Sequence, residues 1–278
     1  MRIKNGADFL EATIRSHIAE VDEIVAVYNQ CTDATAAILA RLQQEFGVER
    51  LRLYHYLPKV FAPGSDGHVA EPADAPASFV NMSNAALAET RYRVLMKLDD
   101  DHIAMSHRLA PITRRIRAAG CRLDHFLCFS GLNLARDEDG TEGVLATEPF
   151  SGNGDIGFFE VTPHTYFIHD PRFETFSRHG RTREFADFTY WHMRYLKHGF
   201  GFANRDIEAG NARFARKRDR FLANRRVLTM AELRKLAPRS LPLLLRLPIP
   251  EKARLRAARW DRLIRMGPTE HELRAQFA

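Results

Sequence analysis

Lys97-Leu98-Asp99-Asp100-Asp101-His102 sets three consecutive carboxylates directly behind the apolar run Tyr92-Arg93-Val94-Leu95-Met96. A buried strand that ends in carboxylates is a common way to hold a divalent cation at the C-terminal edge of an α/β sheet, where ligands bind. Alternation along an extended backbone points Asp99 and Asp101 to one side and Asp100 to the other. Their hard oxygen donors suit Mg²⁺ or Mn²⁺, ions that keep coordination positions open for substrate phosphates. A solvated acidic turn has the same composition. His102 fits a packing or surface position better than a phosphate contact.

The surrounding pattern supplies elements to position this cluster. Asn5-Gly6-Ala7-Asp8 reads as a turn, with Asp8 and Glu11 forming a capping box for a helix whose apolar face is Leu10, Ile14, Ile18 and Val21. Ile24–Tyr28 and Leu51–Tyr56 are short buried strands, separated by a helix through Ile38, Leu39 and Leu42 that stops near Gly47. The Pro- and Gly-rich residues 57–78 predict a long loop and a candidate lid, followed by a helix from Phe79. Strand and helix alternate here as in a parallel sheet wound with helices. From Leu123 to Ile168, short apolar runs between Gly and Asn turns predict antiparallel strands around a cleft. Residues 184–198 read as helical, and the chain beyond 206 as helical, basic and Pro-interrupted.

The 278 residues allow one large domain or a domain with an appendage. No apolar run reaches the length of a membrane-spanning helix, and residues 1–20 lack the apolar centre of a signal peptide. Cys31, Cys121 and Cys128 have no zinc-ligand spacing and read as small hydrophobes, so a reduced cytoplasmic setting is expected. The net charge of +6 is unevenly divided: residues 211–265 carry 17 Lys and Arg against 4 Asp and Glu. A mildly acidic body with a basic tail predicts an anionic partner for the tail.

Three segments then combine. The first, Asp22 to Thr35, is a strand running into Asn29-Gln30-Cys31-Thr32-Asp33. The second is Ser83-Asn84, a helix-sized interval before Asp99. The third is Asp187, with Arg194 and Gly199 seven and twelve residues further on. This ordered set resembles the GT-A-type glycosyltransferases of the large inverting family 2. The resemblance implies an α/β fold, a GT-A-like Rossmann-type wound mixed sheet with helices on both faces, over residues 1–205. Its nucleotide-binding half would be about 1–104 and its acceptor half about 105–205, with a basic helical region at 206–278. It further implies metal-dependent inverting transfer of a sugar from a UDP- or GDP-linked donor to a glycan or lipid-linked acceptor, as in cell-surface polysaccharide synthesis.

Carried over residue by residue, the resemblance gives Asp101 to a Mn²⁺ or Mg²⁺ ion, and Asp99 to the same ion, a metal-bound water or the ribose. Asn29 stands where the family has an aspartate that reads the nucleobase; an amide keeps both donor and acceptor. Asp33 matches the next acidic position, and serves equally as a helix N-cap. Arg2 and Lys4 fall where nucleotide would lie, facing the diphosphate or solvent, and Asn84 matches by spacing. The attack of an acceptor hydroxyl needs a general base. Asp187 takes the first acidic position of the family's base motif, with Phe188 in the second. Asp155, in the loop Ser151-Gly152-Asn153-Gly154-Asp155, competes for the role, as does Glu184. His164, His169, His192 and His198 are the candidates for a third metal ligand. Family members carry a hydrophobic strand before the segment similar to Met1–Gly6. Here that strand is a stub, so either the start lies upstream or the sheet lacks part of a central strand.

In the tail, Glu251 to Met266 predicts an amphipathic helix with Ala253, Ala257, Trp260 and Ile264 on one face and arginines around the rest. Such a helix suits an anionic membrane interface on the cytoplasmic side, or packs back on the body with its arginines in water. Two other function classes compete. A nucleotidyltransferase acting on sugar phosphates would need a Gly-rich, Lys-bearing phosphate loop that Met1–Gly6 does not supply. Nucleic-acid binding through the tail would need more aromatics among the arginines than Phe214, Phe221 and Trp260, so no nucleic-acid partner is expected.

Overall fold

Ile24-Val25-Ala26-Val27 is buried along its whole length, as expected of a parallel strand covered on both faces. In the computed structural model, which describes residues 1–152, 156–177, 180–208, 210–244 and 248–277, this run is the middle of a three-stranded parallel sheet. The strands Arg2–Ile3 (β1), Ile24–Tyr28 (β2) and Leu51–His55 (β3) pair in that order. Helices Leu10–Ile18 (α1) and Thr35–Phe46 (α2) connect them. Leu10, Ile14 and Ile18 of α1 pack with Leu39 and Leu42 of α2 over the sheet. Asp8 does not cap α1: the N-cap is Phe9, without a side-chain bond, and Asp8 Oδ2 instead accepts the backbone N–H of His198 at 2.8 Å.

Residues 57–78 are mostly loop, as predicted, and contain a short helix, Asp66–Ala70 (α3). Ala62 N–H donates to Asp206 Oδ2 at 3.2 Å, and Asn211 Nδ2 donates to Pro63 O at 3.1 Å. Ser78 caps the next helix, Phe79–Ala88 (α4), by accepting from Val80 N–H. Strand Val94–Met96 (β4), strand His102–Ala104 (β5) and helix Ser106–Ala118 (α5) follow. A cavity of about 510 Å³ lies between β2 and β4, lined by residues such as Val25, Leu87, Leu95 and Phe159.

The second sheet is mixed and is built on the long strand Phe126–Arg136 (β6), which is buried from Phe126 to Ala135. Glu142–Leu145 (β7), Phe150–Ser151 (β8) and Gly157–Glu160 (β9) pair with β6 antiparallel, as the sequence pattern predicts, and β9 carries β4 on its other edge. Phe167–Asp170 (β10) and Phe173–Phe176 (β11) make a separate hairpin. Arg183–His192 (β12) lies parallel to β6 and antiparallel to β5. The predicted helix over 184–198 is therefore a strand as far as His192, followed by a 3-10 turn at Arg194–Leu196. Tyr190 and Trp191 are both buried, because the strand is covered on two faces. A doubly covered strand has no alternation to distinguish it from a buried helix.

The basic region is built into this body. After helix Ala212–Ala223 (α6), strand Val227–Leu228 (β13) extends the second sheet by pairing with β7. Helices Met230–Lys235 (α7), Leu241–Leu244 (α8), Glu251–Met266 (α9) and Glu270–Arg274 (α10) complete the chain. The buried residues of α9 are Leu255, Ala257, Trp260 and Leu263, the last three within the core around Leu132, Phe150 and Phe188. Ile264, expected on the apolar face, is 45 % exposed. The stripe read as a membrane face is core packing. Among the described residues no helix is long and apolar enough to cross a membrane.

Candidate active site

The acidic triplet occupies the turn from β4 to β5, at the edge of the second sheet. Asp99 and Asp101 converge, each with a carboxylate oxygen 3.9 Å from His102 Nε2. Asp100 points elsewhere. Its Oδ2 accepts from Lys197 Nζ at 2.6 Å, and it lies so close to Gly6 that a Cβ there would overlap its carboxylate. Lys197 also reaches Asp101 Oδ2 at 3.5 Å.

The register of β5 against β12 places His192 opposite His102. His192 Nε2 is 3.3 Å from Asp101 Oδ1. Ligand atoms of Asp101, His102 and His192 all lie within 4.8 Å of one another, as a shared cation requires. His102 is buried against the Tyr190 ring, 3.9 Å between centroids, and burial lowers its pKa to about 3, so the ring is neutral and keeps a lone pair.

Asn133 fixes the tautomer of His192. Its Nδ2 donates to Glu148 O at 2.6 Å, which turns its Oδ1 toward His192 Nδ1 at 2.5 Å. An amide oxygen only accepts, so Nδ1 carries the proton and Nε2 faces Asp101. A proton or a shared cation between Nε2 and Asp101 Oδ1 satisfies that pairing.

Electrostatics separate the three aspartates. Burial opposes ionisation of Asp101, but His192 and Lys197 hold its pKa well below the usual carboxylate range. Burial, reinforced by the Asp101 charge, pushes Asp100 up to about 6 against the pull of Lys197. Glu174, on the opposite wall, is held at about 2: burial opposes its charge, and Arg2 at 2.5 Å and Lys97 at 3.3 Å outweigh it.

The three aspartates, His192, Lys197 and Glu174 line a cleft of about 620 Å³, within the size range of ligand sites, roughly 300–1,000 Å³. Arg2, Lys4, Asn29, Asp33, Asp99 and Asp101 all border it. Several are already engaged. Asn29 is buried and donates both amide hydrogens, to Tyr56 O and Pro58 O, each at 2.6 Å, so it holds the loop after β3 rather than presenting its amide to a base. Asp33 accepts from Thr35 N–H and Ala7 N–H, but it is not the N-cap of α2, which is Ala34 without a side-chain bond. Arg2 is enclosed, bonded to Ser83 and Glu174, and lies 3.8 Å from Asp99.

Five predicted candidates, Asn84, Asp187, Glu184, His164 and His169, do not border the cleft; Glu184 pairs with Arg115 and His125, and His169 stacks on His68. Asn84 bridges α4 to β10 by exchanging hydrogen bonds with the Phe167 backbone. Asp187 is ion-paired to Arg108 at 3.2 Å and Arg262 at 3.9 Å. Asp155 is outside the described residues. Sequence reading missed Lys197, Asn133, Glu174, Arg205, Arg213 and Lys217, and gave Arg194 only as a spacing match. These come from strands, turns and helix α6, whose convergence no local spacing encodes.

No protein-family model matches the chain, and no curated protein matches it. Among solved structures, the crystal structure of S. aureus TarS 1-349 is similar at 11 % identity and a TM-score of 0.37, over 97 % of this chain and 69 % of that one. A likeness of that size carries no argument about activity.

Proposed function

We propose that this chain is a divalent-metal-dependent glycosyltransferase that draws its sugar from a nucleoside-diphosphate donor. The observation that carries this reading is Asp101 and His192 meeting at 3.3 Å at the end of an α/β sheet, inside a cleft otherwise rich in cations. Asp101, His192 and His102 would hold the ion, with Asp99 at its margin. Mixed nitrogen and oxygen donors favour Mn²⁺ over Mg²⁺. When bound, the metal neutralises charge on the departing diphosphate.

The chain's own groups do the rest. Lys197 bridges Asp100 and Asp101 and adds positive charge at the same end of the cleft. Arg2 and Lys97 neutralise Glu174, leaving that wall able to face an anion. Asp155 is the general base in this reading, since Asp187 is bound to two arginines instead of bordering the cleft. The acceptor is a glycan or a lipid-linked sugar. Attachment to an anionic membrane would use the exposed arginines of α9, not its apolar face.

Thermal-shift measurements with Mn²⁺ and a panel of nucleoside diphosphates test the proposal, because a ligand that binds only the folded state raises Tm by mass action. A shift with UDP or GDP that requires Mn²⁺ is the expected outcome. No shift with any nucleotide would remove the reading.

A further inference from the structure

We propose that Arg194, Arg205, Arg213 and Lys217 form a phosphoryl-binding subsite in the wall of the cleft, one that works without metal. Arg194 follows β12, Arg205 lies in the segment before α6, and Arg213 and Lys217 stand one turn apart on α6. All four border the same cleft as the aspartate turn.

Three guanidinium groups crowd one ring. The centroid of Phe214 is 4.8 Å from the Arg205 guanidinium carbon, 5.3 Å from that of Arg194 and 5.5 Å from that of Arg213. Contact with a ring face stabilises each cation but leaves its charge uncompensated. Glu148 is the nearby counter-charge. It is bound to Lys217 Nζ at 2.9 Å and accepts from Tyr195 Oη at 2.5 Å. Among the described residues Glu148 is the carboxylate ion-paired within this group, while Asp170 acts on Arg213 and the aspartate turn acts on Arg205 from farther away.

Arg194 identifies what is missing. The residue is 8 % exposed, and its Nε and Nη2 are buried with no hydrogen-bond partner among the described residues. Its ring contacts with Phe202 at 4.9 Å and Tyr195 at 5.5 Å hold the guanidinium without giving those donors an acceptor. Buried donors without acceptors are costly, and a guanidinium offers them as a planar fork that matches phosphate oxygens. The electrostatics agree: burial and the Arg194 charge lower Lys217 to about 8 and Arg205 to about 10. A phosphate placed here would supply acceptors to Arg194 and compensating charge to the other three.

The cleft then handles anions at two places, the carboxylate–imidazole turn through a cation and the arginine wall directly. Assigning the bound phosphoryl group to a donor or an acceptor rests on the glycosyltransferase reading; the subsite itself does not. Its source is either the donor's diphosphate or a phosphate on the second substrate.

Isothermal titration of the full chain with inorganic phosphate in EDTA tests the subsite. The wild type should bind, and Arg194→Gln and Arg205→Gln should each weaken binding at least tenfold. Arg265→Gln, which removes a charge from the exposed side of α9, should leave the Kd unchanged. Lys217→Met serves as the further variant if either arginine substitution lowers Tm by more than the control does. No metal-free phosphate binding by the wild type, or equal affinity in all variants, would overturn the proposal. Repeating the titration with Mn²⁺ and saturating UDP separates the sources: competition assigns the subsite to the donor diphosphate, and simultaneous binding assigns it to a phosphate-bearing second substrate. If phosphate binds in EDTA while no nucleotide binds with Mn²⁺, the subsite stands and the glycosyltransferase reading fails.

Discussion

Asp187 on β12 lies 3.2 Å from Arg108 on α5 and 3.9 Å from Arg262 on α9, so a single carboxylate joins a strand to two helices. Its Oδ1 also accepts the backbone N–H of Phe188 at 2.8 Å. Asp187→Asn should therefore cost stability, about 1–3 kcal/mol for charge-assisted hydrogen bonds of this kind. It should leave turnover within about twofold, since the group does not touch the reacting atoms. Urea melts and transfer kinetics on the same preparation check this. A folded variant with turnover lost would return the base to Asp187 and take it from Asp155.

Asn133 acts through His192. Asn133→Ala leaves His192 Nδ1 without its fixed acceptor, and loss of such a partner typically weakens metal binding about 10- to 100-fold. A Mn²⁺ titration of the variant should show that loss. Unchanged affinity would mean that His192 is oriented by something other than Asn133.

Trp260 on α9 stands edge-on to Phe150, 4.8 Å between ring centroids, and is 7 % exposed. Trp260→Ala should cost about 3–5 kcal/mol, as for other large aromatic truncations in cores. For the same reason a 1–238 truncation, which removes Trp260, Leu263 and Leu273 from the core, should fail to fold as a stable catalytic unit. A cooperative melt for 1–238 near that of the full chain would show that the basic region is an appendage after all.

His17 gives the stability a pH dependence. Burial lowers its pKa to about 4, partly offset by the hydrogen bond from the ring to Thr13 O at 2.9 Å. The unfolded chain binds this proton near the ordinary value of about 6.5. Between these values the unfolded state holds more protons, so the contribution is complete above 6.5 and is lost as pH falls toward 4. The slope for one proton is about 1.4 kcal/mol per pH unit. Denaturant melts of the wild type and His17→Gln at pH 7 and 5 should differ in pH dependence by about one proton. Parallel curves would show that another group sets the slope.

The first hundred residues were legible because their strands and helices carry distinct periods: Ile24–Tyr28 forms its expected strand, and α4 begins at Phe79 as predicted. Reading failed where burial erases the period, as in β12, and the error carried Asp187 onto a helix that does not form. The cation end of the site was only half visible. Asp99 and Asp101 lie two apart in sequence, whereas His192 joins them through the pairing of β5 with β12, a long-range register that no local pattern specifies. Asn29, Asp33 and Asn84 had the right chemistry for ligand contacts but direct it to the backbone.

Calorimetric titration of Mn²⁺ into the wild type, Asp101→Ala and His192→Ala, with folding checked by circular dichroism, bears most directly on the cation site. The wild type should bind one ion and each variant should lose at least a hundredfold in affinity while remaining folded. Equal Mn²⁺ affinity in all three proteins would contradict a metal held between Asp101 and His192.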